Sequence, residues 1–390
     1  MQGKIVSARL RATLAVFTMT VFVTTACAAT EKALHNFGSS GKDGHKPLAS
    51  LIFDASGNLY GTTSEGGSGI EHCNTGTGGC GTVFELTPKG GGRWTEKVLH
   101  SFKADGKDGY YPSGGLVFDA SGNLYGTTYG GGVHGGGTVF ELTPGAGGNW
   151  TERLLHSFNN DANGWAPGST LTLDAAGSLY GTTIFGGVLS CGYGGTGCGT
   201  VFELTSKAGE GWTEKVLRRF NGKDGESPST SVVFDASGSL YGTAALGGDL
   251  TCGKGYGCGT VFKLTPKVGG RWAESVLHKF NANGKDGTYP DAGLVVDASG
   301  NLYSTTYEGG ALSCYYGYGC GTVFELTPTA GGGWTEKILH TFNNNGRNGS
   351  GPVATLIFDA SGNPYGTTIR GGNQSCGNSD GCGTVFEITP

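Results

Sequence analysis

An all-β, six-bladed β-propeller of four-stranded blades is the fold class this sequence predicts, its ring closed by an N-terminal strand that completes the last blade. Three observations carry that expectation. First, Leu59-Tyr60-Gly61-Thr62-Thr63 returns with small changes around Tyr125, Tyr180, Tyr241, Tyr303 and Tyr365, at spacings of 65, 55, 61, 62 and 62 residues. Each copy is followed by Gly-Thr-Val-Phe, starting at Gly81, Gly137, Gly199, Gly259, Gly321 and Gly383. Repeats of this length read as one array, and four-stranded units repeated radially make a propeller. Second, five copies continue into a Trp-led segment such as Trp94 to Phe102, whereas the sixth stops at Pro390 and its missing piece stands at the other end as Glu31 to Phe37. A split copy suits a closed ring, and a linear solenoid does not explain it. Third, no sustained helical periodicity follows the first thirty residues.

Residues 1–28 read as a secretory signal peptide, with Lys4, Arg9 and Arg11 ahead of an apolar run from Ala12 to Val23 and the small-residue site Ala26-Cys27-Ala28. That run is short for a membrane span and no other of its length occurs, so residues 29–390 are expected to form a single propeller domain without a transmembrane segment. The expected setting is outside the cytoplasm: extracellular, periplasmic or at the cell surface. Lipidation of Cys27 is the alternative to simple cleavage. Loss of the three leader cations takes the formal charge from -5 to -8, and a mildly acidic surface without a basic stripe argues against nucleic acid. The 78 glycines are periodic and interleaved with Val, Phe, Leu, Tyr and Trp, so the chain is glycine-rich yet able to build a core.

Within a unit the first strand is an apolar run such as Leu51-Ile52-Phe53, and the turn formers Asp54 to Asn58 lead into the second strand, Leu59 to Thr63. A long Gly-rich loop reaches the third strand, Thr82 to Leu86. A Gly-rich turn then reaches the fourth, Trp94 to Phe102, where Glu96 and Lys97 suit an exposed edge. Antiparallel alternation places the long loops and the Gly-Lys-Asp-Gly connections on one face, with the short Asp-led hairpins opposite. The long-loop face is the better place for a binding surface.

Ten of the 11 cysteines form close pairs in those long loops: Cys73/Cys80, Cys191/Cys198, Cys252/Cys258, Cys314/Cys320 and Cys376/Cys382. The second copy, around His134, lacks both members. Partners gained and lost together in an exported chain read as disulfides. Zinc needs four ligands, and only His72 adjoins a cysteine, so no metal is expected at these pairs.

The motifs Gly-Asn-Leu-Tyr-Gly-Thr-Thr, Gly-Thr-Val-Phe-Glu-Leu-Thr-Pro and Trp-Thr-Glu-Lys-Val-Leu-His-Ser-Phe together resemble the GloVer-type tandem repeats of exported bacterial proteins. The resemblance covers nearly the whole mature chain. It implies an extracellular or surface setting and brings no catalytic residue.

Residues repeated in every blade are read as structural: Asp54 and its equivalents as turn caps, Tyr60 and its equivalents as packing between blades. His35, His100, His156, His278 and His340 recur at one position that Arg218 takes in the remaining copy, a replacement hard to reconcile with a metal ring. Function is therefore sought where the repeat breaks. The candidate binding face comprises His45, His72, His134, Asp161, Trp165, Tyr289, Tyr315, Tyr316, Tyr318 and Arg370, whose aromatics suit stacking on sugar rings or anchoring a protein. Asn159 to Gly164 resembles a calcium loop but lacks the distal glutamate, and is read as a turn. Neither a His-Glu-x-x-His zinc motif nor a phosphate-binding loop occurs. No catalytic residue, cofactor or metal is assigned. The expectation is a monomeric exported scaffold that binds an extracellular protein or glycan. The alternative is a carbohydrate-active hydrolase or lyase at the mouth of the central channel, drawing on carboxylates such as Glu65, Glu71 and Glu308.

Overall fold

A computed structural model describes residues 33–38, 43–68, 73, 78–207, 211–311, 314, 317–343, 348–372 and 381–389. The signal segment with Cys27, together with Glu71, His72, Tyr315, Tyr316 and Cys376, lies outside the described residues. His35–Pro390 forms a compact unit. In its first blade β1 (Ile52–Phe53), β2 (Leu59–Thr63), β3 (Thr82–Lys89) and β4 (Arg93–Ser101) pair antiparallel in that order. Four more sheets repeat the order around Leu124–Thr128, Leu179–Thr183, Leu240–Ala244 and Leu302–Thr306. The sixth contains Ile357–Phe358, Pro364–Gly371 and Thr384–Glu387. A cavity of about 350 Å³ is lined by the entry to the innermost strand of every blade, at Ser50, Gly115, Thr170, Ser231, Gly293 and Thr355. Six blades thus stand in a ring around one channel, a six-bladed β-propeller.

Local chemistry explains each blade. The β1–β2 hairpin is tied by Asp54, whose Oδ1 accepts from the Ser56 and Asn58 amides at 2.8 and 2.9 Å. Its Oδ2 accepts from the Tyr60 hydroxyl at 3.2 Å, which also lies 3.0 Å from Glu85 Oε1. The Tyr60 ring meets Phe118 and Trp150 of the next blade edge-on, at 5.1 and 6.2 Å. Glycine is required at position 61, because a Cβ there would lie 2.5 Å from Leu51 and 2.8 Å from the Phe84 ring. A one-residue bulge after Val98 shifts the register of β4, so that His100 sits opposite Val83.

The blades are held together by a recurring aromatic pair. Phe102, Phe158, Phe220, Phe280 and Phe342, all buried, meet Phe140, Phe202, Phe262, Phe324 and Phe386 of the following blade at 5.0–5.2 Å. Each buried phenyl stabilises its seam by about 2–3 kcal/mol. Nearer the axis, the Thr62, Thr127, Thr182 and Thr243 hydroxyls donate to carbonyls of the next blade at 3.0–3.2 Å.

The closing strand differs from the expectation. Residues 33–38 carry no strand, and the last sheet's fourth member, Gly349–Pro352, is the rim segment ahead of its innermost strand, paired to the far end of Pro364–Gly371 and not to the outer strand. Val385, in the outer strand Thr384–Glu387, is 80 % exposed. In the other blades a short Gly-rich turn joins the third and fourth strands. In the last blade the two segments have no such tether, so their pairing must offset a large loop-closure entropy. One part of the expected join is nonetheless present: the Phe37 ring meets Phe84 edge-on at 5.2 Å, repeating the aromatic pair of the five other seams.

Candidate functional site

On the long-loop face every blade carries the same backbone device with different side chains. The residue before a proline turns into the left-handed region: Lys46, Tyr111, Ala166, Ser227 and Tyr289 have φ of 54–58°. That conformation costs a non-glycine residue roughly 1–2 kcal/mol, so it must be held by its surroundings. The amides of Tyr111, Ser227 and Tyr289 donate to the carbonyls of Cys80, Cys198 and Cys258 of the preceding blade at 2.9, 3.0 and 2.9 Å. In the seam without cysteines the Gly136 carbonyl accepts from Ala166 at 2.8 Å. The following proline seats on the glycine of the neighbouring Gly-Thr-Val-Phe: at Gly81 (φ +101°) a Cβ would lie 2.5 Å from Pro112 Cδ.

The long loops therefore brace the next blade's rim, and the disulfides Cys73–Cys80, Cys191–Cys198, Cys252–Cys258 and Cys314–Cys320 close them as the sequence predicts. Cys382 is also disulfide-bonded. The left-handed residue and its predecessor face the two residues after the second strand, so His45 pairs with Glu65, Trp165 with Phe185, Glu226 with Leu246, Thr288 with Glu308 and Ser350 with Arg370. A constant frame thus displays a variable rim.

Between the fourth and fifth blades this rim opens into a cleft of about 360 Å³ lined by Lys254, Tyr256, Tyr289, Asp291, Tyr307, Glu308 and Tyr318. A smaller cavity of about 150 Å³ beside it shares Lys254, Tyr289, Glu308 and Tyr318. Lys254 Nζ stands over the Tyr318 ring, 5.3 Å from its centroid, and Tyr318 is 45 % exposed. Burial pushes the Glu308 carboxyl above its ordinary range, partly countered by Arg370 of the sixth blade. Asp291 lines the cleft and also the central channel. Water reaches it through the channel mouth, yet protein crowds it on most sides and raises its pKa, an effect eased by the hydrogen bond donated by Ser229. Burial followed by the Glu308 charge raises the Tyr289 hydroxyl. The chemistry on offer is four tyrosine rings, one lysine and two carboxylates in a solvent-open groove.

Of the residues singled out from the sequence, the fold unites Tyr289 and Tyr318 in this cleft and sets Arg370 beside it through Glu308. The others stay on their own blades. His45 Nδ1 lies 3.3 Å from Glu65 Oε2, with Lys46 Nζ 2.6 Å from the other oxygen. His134 is exposed on the short turn that replaces a disulfide loop. Asp161 Oδ1 accepts from the Asn163 amide at 2.7 Å in a local turn. Trp165 stacks on Phe185 with centroids 4.3 Å apart. Lys254, Tyr256, Tyr307 and Asp291 were not singled out by sequence reasoning. Asp291 had a readable signal, since the residue after the proline is Leu48, Ser113, Gly168, Ser229 or Val353 in the other copies.

Fold and rim together define a propeller scaffold of stapled tandem repeats that varies its side chains on one face. The chain belongs to the Gloeobacter/Verrucomicrobia repeat family, whose model matches residues 72–311 and 250–390. No curated protein matches it. Among the described residues no helix is long and apolar enough to cross a membrane.

Proposed function

We propose that this protein is an exported, monomeric binding scaffold whose long-loop face takes an extracellular glycan, with the tyrosine cleft between the fourth and fifth blades as the main subsite. The observation that carries the reading is the convergence of Tyr256, Tyr289, Tyr307 and Tyr318 with Glu308 and Asp291 in one open groove. Tyrosine faces pack against the C–H faces of sugar rings, and carboxylates accept from sugar hydroxyls. Disulfides and the repeat family support a setting outside the cytoplasm.

The test is a glycan array on purified protein, followed by calorimetry with the best ligand. Tyr289→Ala and Tyr318→Ala are each expected to weaken binding about tenfold or more, as loss of a central aromatic anchor does. An array without any bound glycan, or unchanged affinity in both variants, overturns the reading. A second reading, a hydrolase or lyase, is favoured by one specific observation: Asp291 and Glu308, both raised above the ordinary carboxylate range, line a single cleft beside the channel mouth. Turnover of a polysaccharide that Glu308→Gln abolishes would establish it.

A further inference from the structure

The seams between blades set a histidine or an arginine against carboxylates. A histidine precedes the seam in five copies, an aspartate follows it in the connection in four (Asp43, Asp108, Asp224 and Asp286), and glutamates such as Glu152, Glu274 and Glu336 face them from the next blade's outermost strand. The fourth blade's entry shows the rule most plainly. There Arg218 replaces the histidine, and its guanidinium pairs with Asp224 and lies 3.4 Å from Glu274 Oε2.

Between the fifth blade and its predecessor the same place holds His278, Asp286 and Glu336. His278 Nε2 is 3.4 Å from Asp286 Oδ2 and 3.5 Å from Glu336 Oε1. These separations exceed an ordinary N–H···O hydrogen bond. They match the edge of a tetrahedron whose corners lie about 2.1 Å from a central ion, the distance at which zinc holds nitrogen and oxygen. Asp286 is 4 % exposed, and His278 Nε2, Asp286 Oδ1 and Glu336 Oε1 have no hydrogen-bond partner among the described residues. Asp286 Oδ2 is meanwhile oriented by the Asn281 amide and side chain at 3.1 and 2.7 Å, the kind of outer support that metal-binding carboxylates carry. Ligand atoms of His100, Asp108 and Glu152 also lie within 4.8 Å of one another, although there His100 Nε2 is 3.1 Å from Asp108 Oδ2, at hydrogen-bond distance.

We propose that His278, Asp286 and Glu336 bind a divalent cation of the zinc class, with His100, Asp108 and Glu152 forming a second such site, and that the metal clips one blade to the next. Arg218 counts against a ring sharing one ion but not against this arrangement, because every seam is a separate site. In its own seam the guanidinium supplies the charge that the metal supplies elsewhere.

The experiment uses the full mature chain, stripped with chelator, dialysed against zinc and assayed for bound metal, with cobalt(II) as a spectroscopic probe. His278→Ala is expected to lose about one equivalent of zinc and part of the tetrahedral cobalt absorption. His100→Ala loses a second equivalent. Asp286→Asn, which preserves volume, weakens uptake at least about tenfold. Arg218→His, which installs a histidine beside Asp224 and Glu274, is expected to gain an equivalent. The proposal is overturned if the wild-type chain takes up no zinc, or if His278→Ala and Asp286→Asn both keep the wild-type uptake and cobalt spectrum. The second result would assign any metal to surface histidines and leave a proton as the seam's cation.

Discussion

At the scale of single residues, the aspartate that caps each hairpin and the tyrosine that follows it find their partners inside their own blade. Asp119 accepts from the Ser121 and Asn123 amides at 2.8 and 2.9 Å, and these bonds outweigh burial and hold its carboxyl below the usual range. The Tyr125 hydroxyl then bridges Asp119 and Glu141 at 3.1 and 2.9 Å. A different balance holds at the seam between the second and third blades, where Asn163 stands in the place of the seam aspartate. There burial pushes His156 down to about 4 and Glu214 up to about 7, so the two face each other at 3.6 Å without charge between those values.

A carboxyl raised in the folded state contributes stability that is fully present below its unfolded pKa, here 4.5, and lost as pH rises through about 7. Glu214→Gln removes that loss. The variant is expected to match wild type near pH 4.5 and to exceed it by about 2–3 kcal/mol at pH 8. Urea denaturation across that range checks it, and equal stabilities at pH 8 would contradict it.

At the scale of elements, each long loop is a brace for its neighbour rather than a free appendage. The Cys258 carbonyl holds the Tyr289 amide at 2.9 Å, so the fourth blade's disulfide loop positions a tyrosine of the fifth. Replacing Cys252 and Cys258 together by serine is expected to cost about 2 kcal/mol from the short loop it frees. It is also expected to weaken any ligand of the tyrosine cleft, since Tyr289 loses its fixed backbone. Thermal denaturation and calorimetry report the two effects separately. The second blade, which lacks cysteines, shows that the hydrogen bond survives without a bridge: Gly136 serves in place of a cysteine carbonyl. Strands, hairpins and disulfide partners were legible from sequence because alternation, turn formers and paired cysteines are local signals. The two-stranded rim was not. Its strands are one or two residues long, and their pairing exists only once the proline of one blade rests on the glycine of another.

At the scale of the whole molecule, six seams share the work of keeping the ring together, and five of them are covalently preceded by the blade they join. The remaining one relies on Phe37, edge-on to Phe84 at 5.2 Å and close to His35, whose Nε2 is 3.4 Å from Asp43. Phe37→Ala is expected to destabilise the propeller by about 3 kcal/mol, as large-to-small changes at packed aromatics do. Hydrogen exchange should rise first in the blade containing Phe84. A uniform change across all blades, or none, would argue that this seam does not hold the ring.

By itself the sequence determined the number of blades, their strand order, the cysteine pairs and the family, because these follow from periodicity and from residues close together in the chain. It also pointed to Tyr289 and Tyr318 as breaks in the repeat. Only the tertiary structure decided that these two share a cleft with Tyr256, Tyr307, Asp291 and Glu308, that Trp165 is covered by Phe185, and that the rim segment Gly349–Pro352 joins the last sheet. The physical reason is that a propeller's seams join side chains from different repeats, at distances set by packing between blades, and no pattern within one repeat encodes which neighbours will meet.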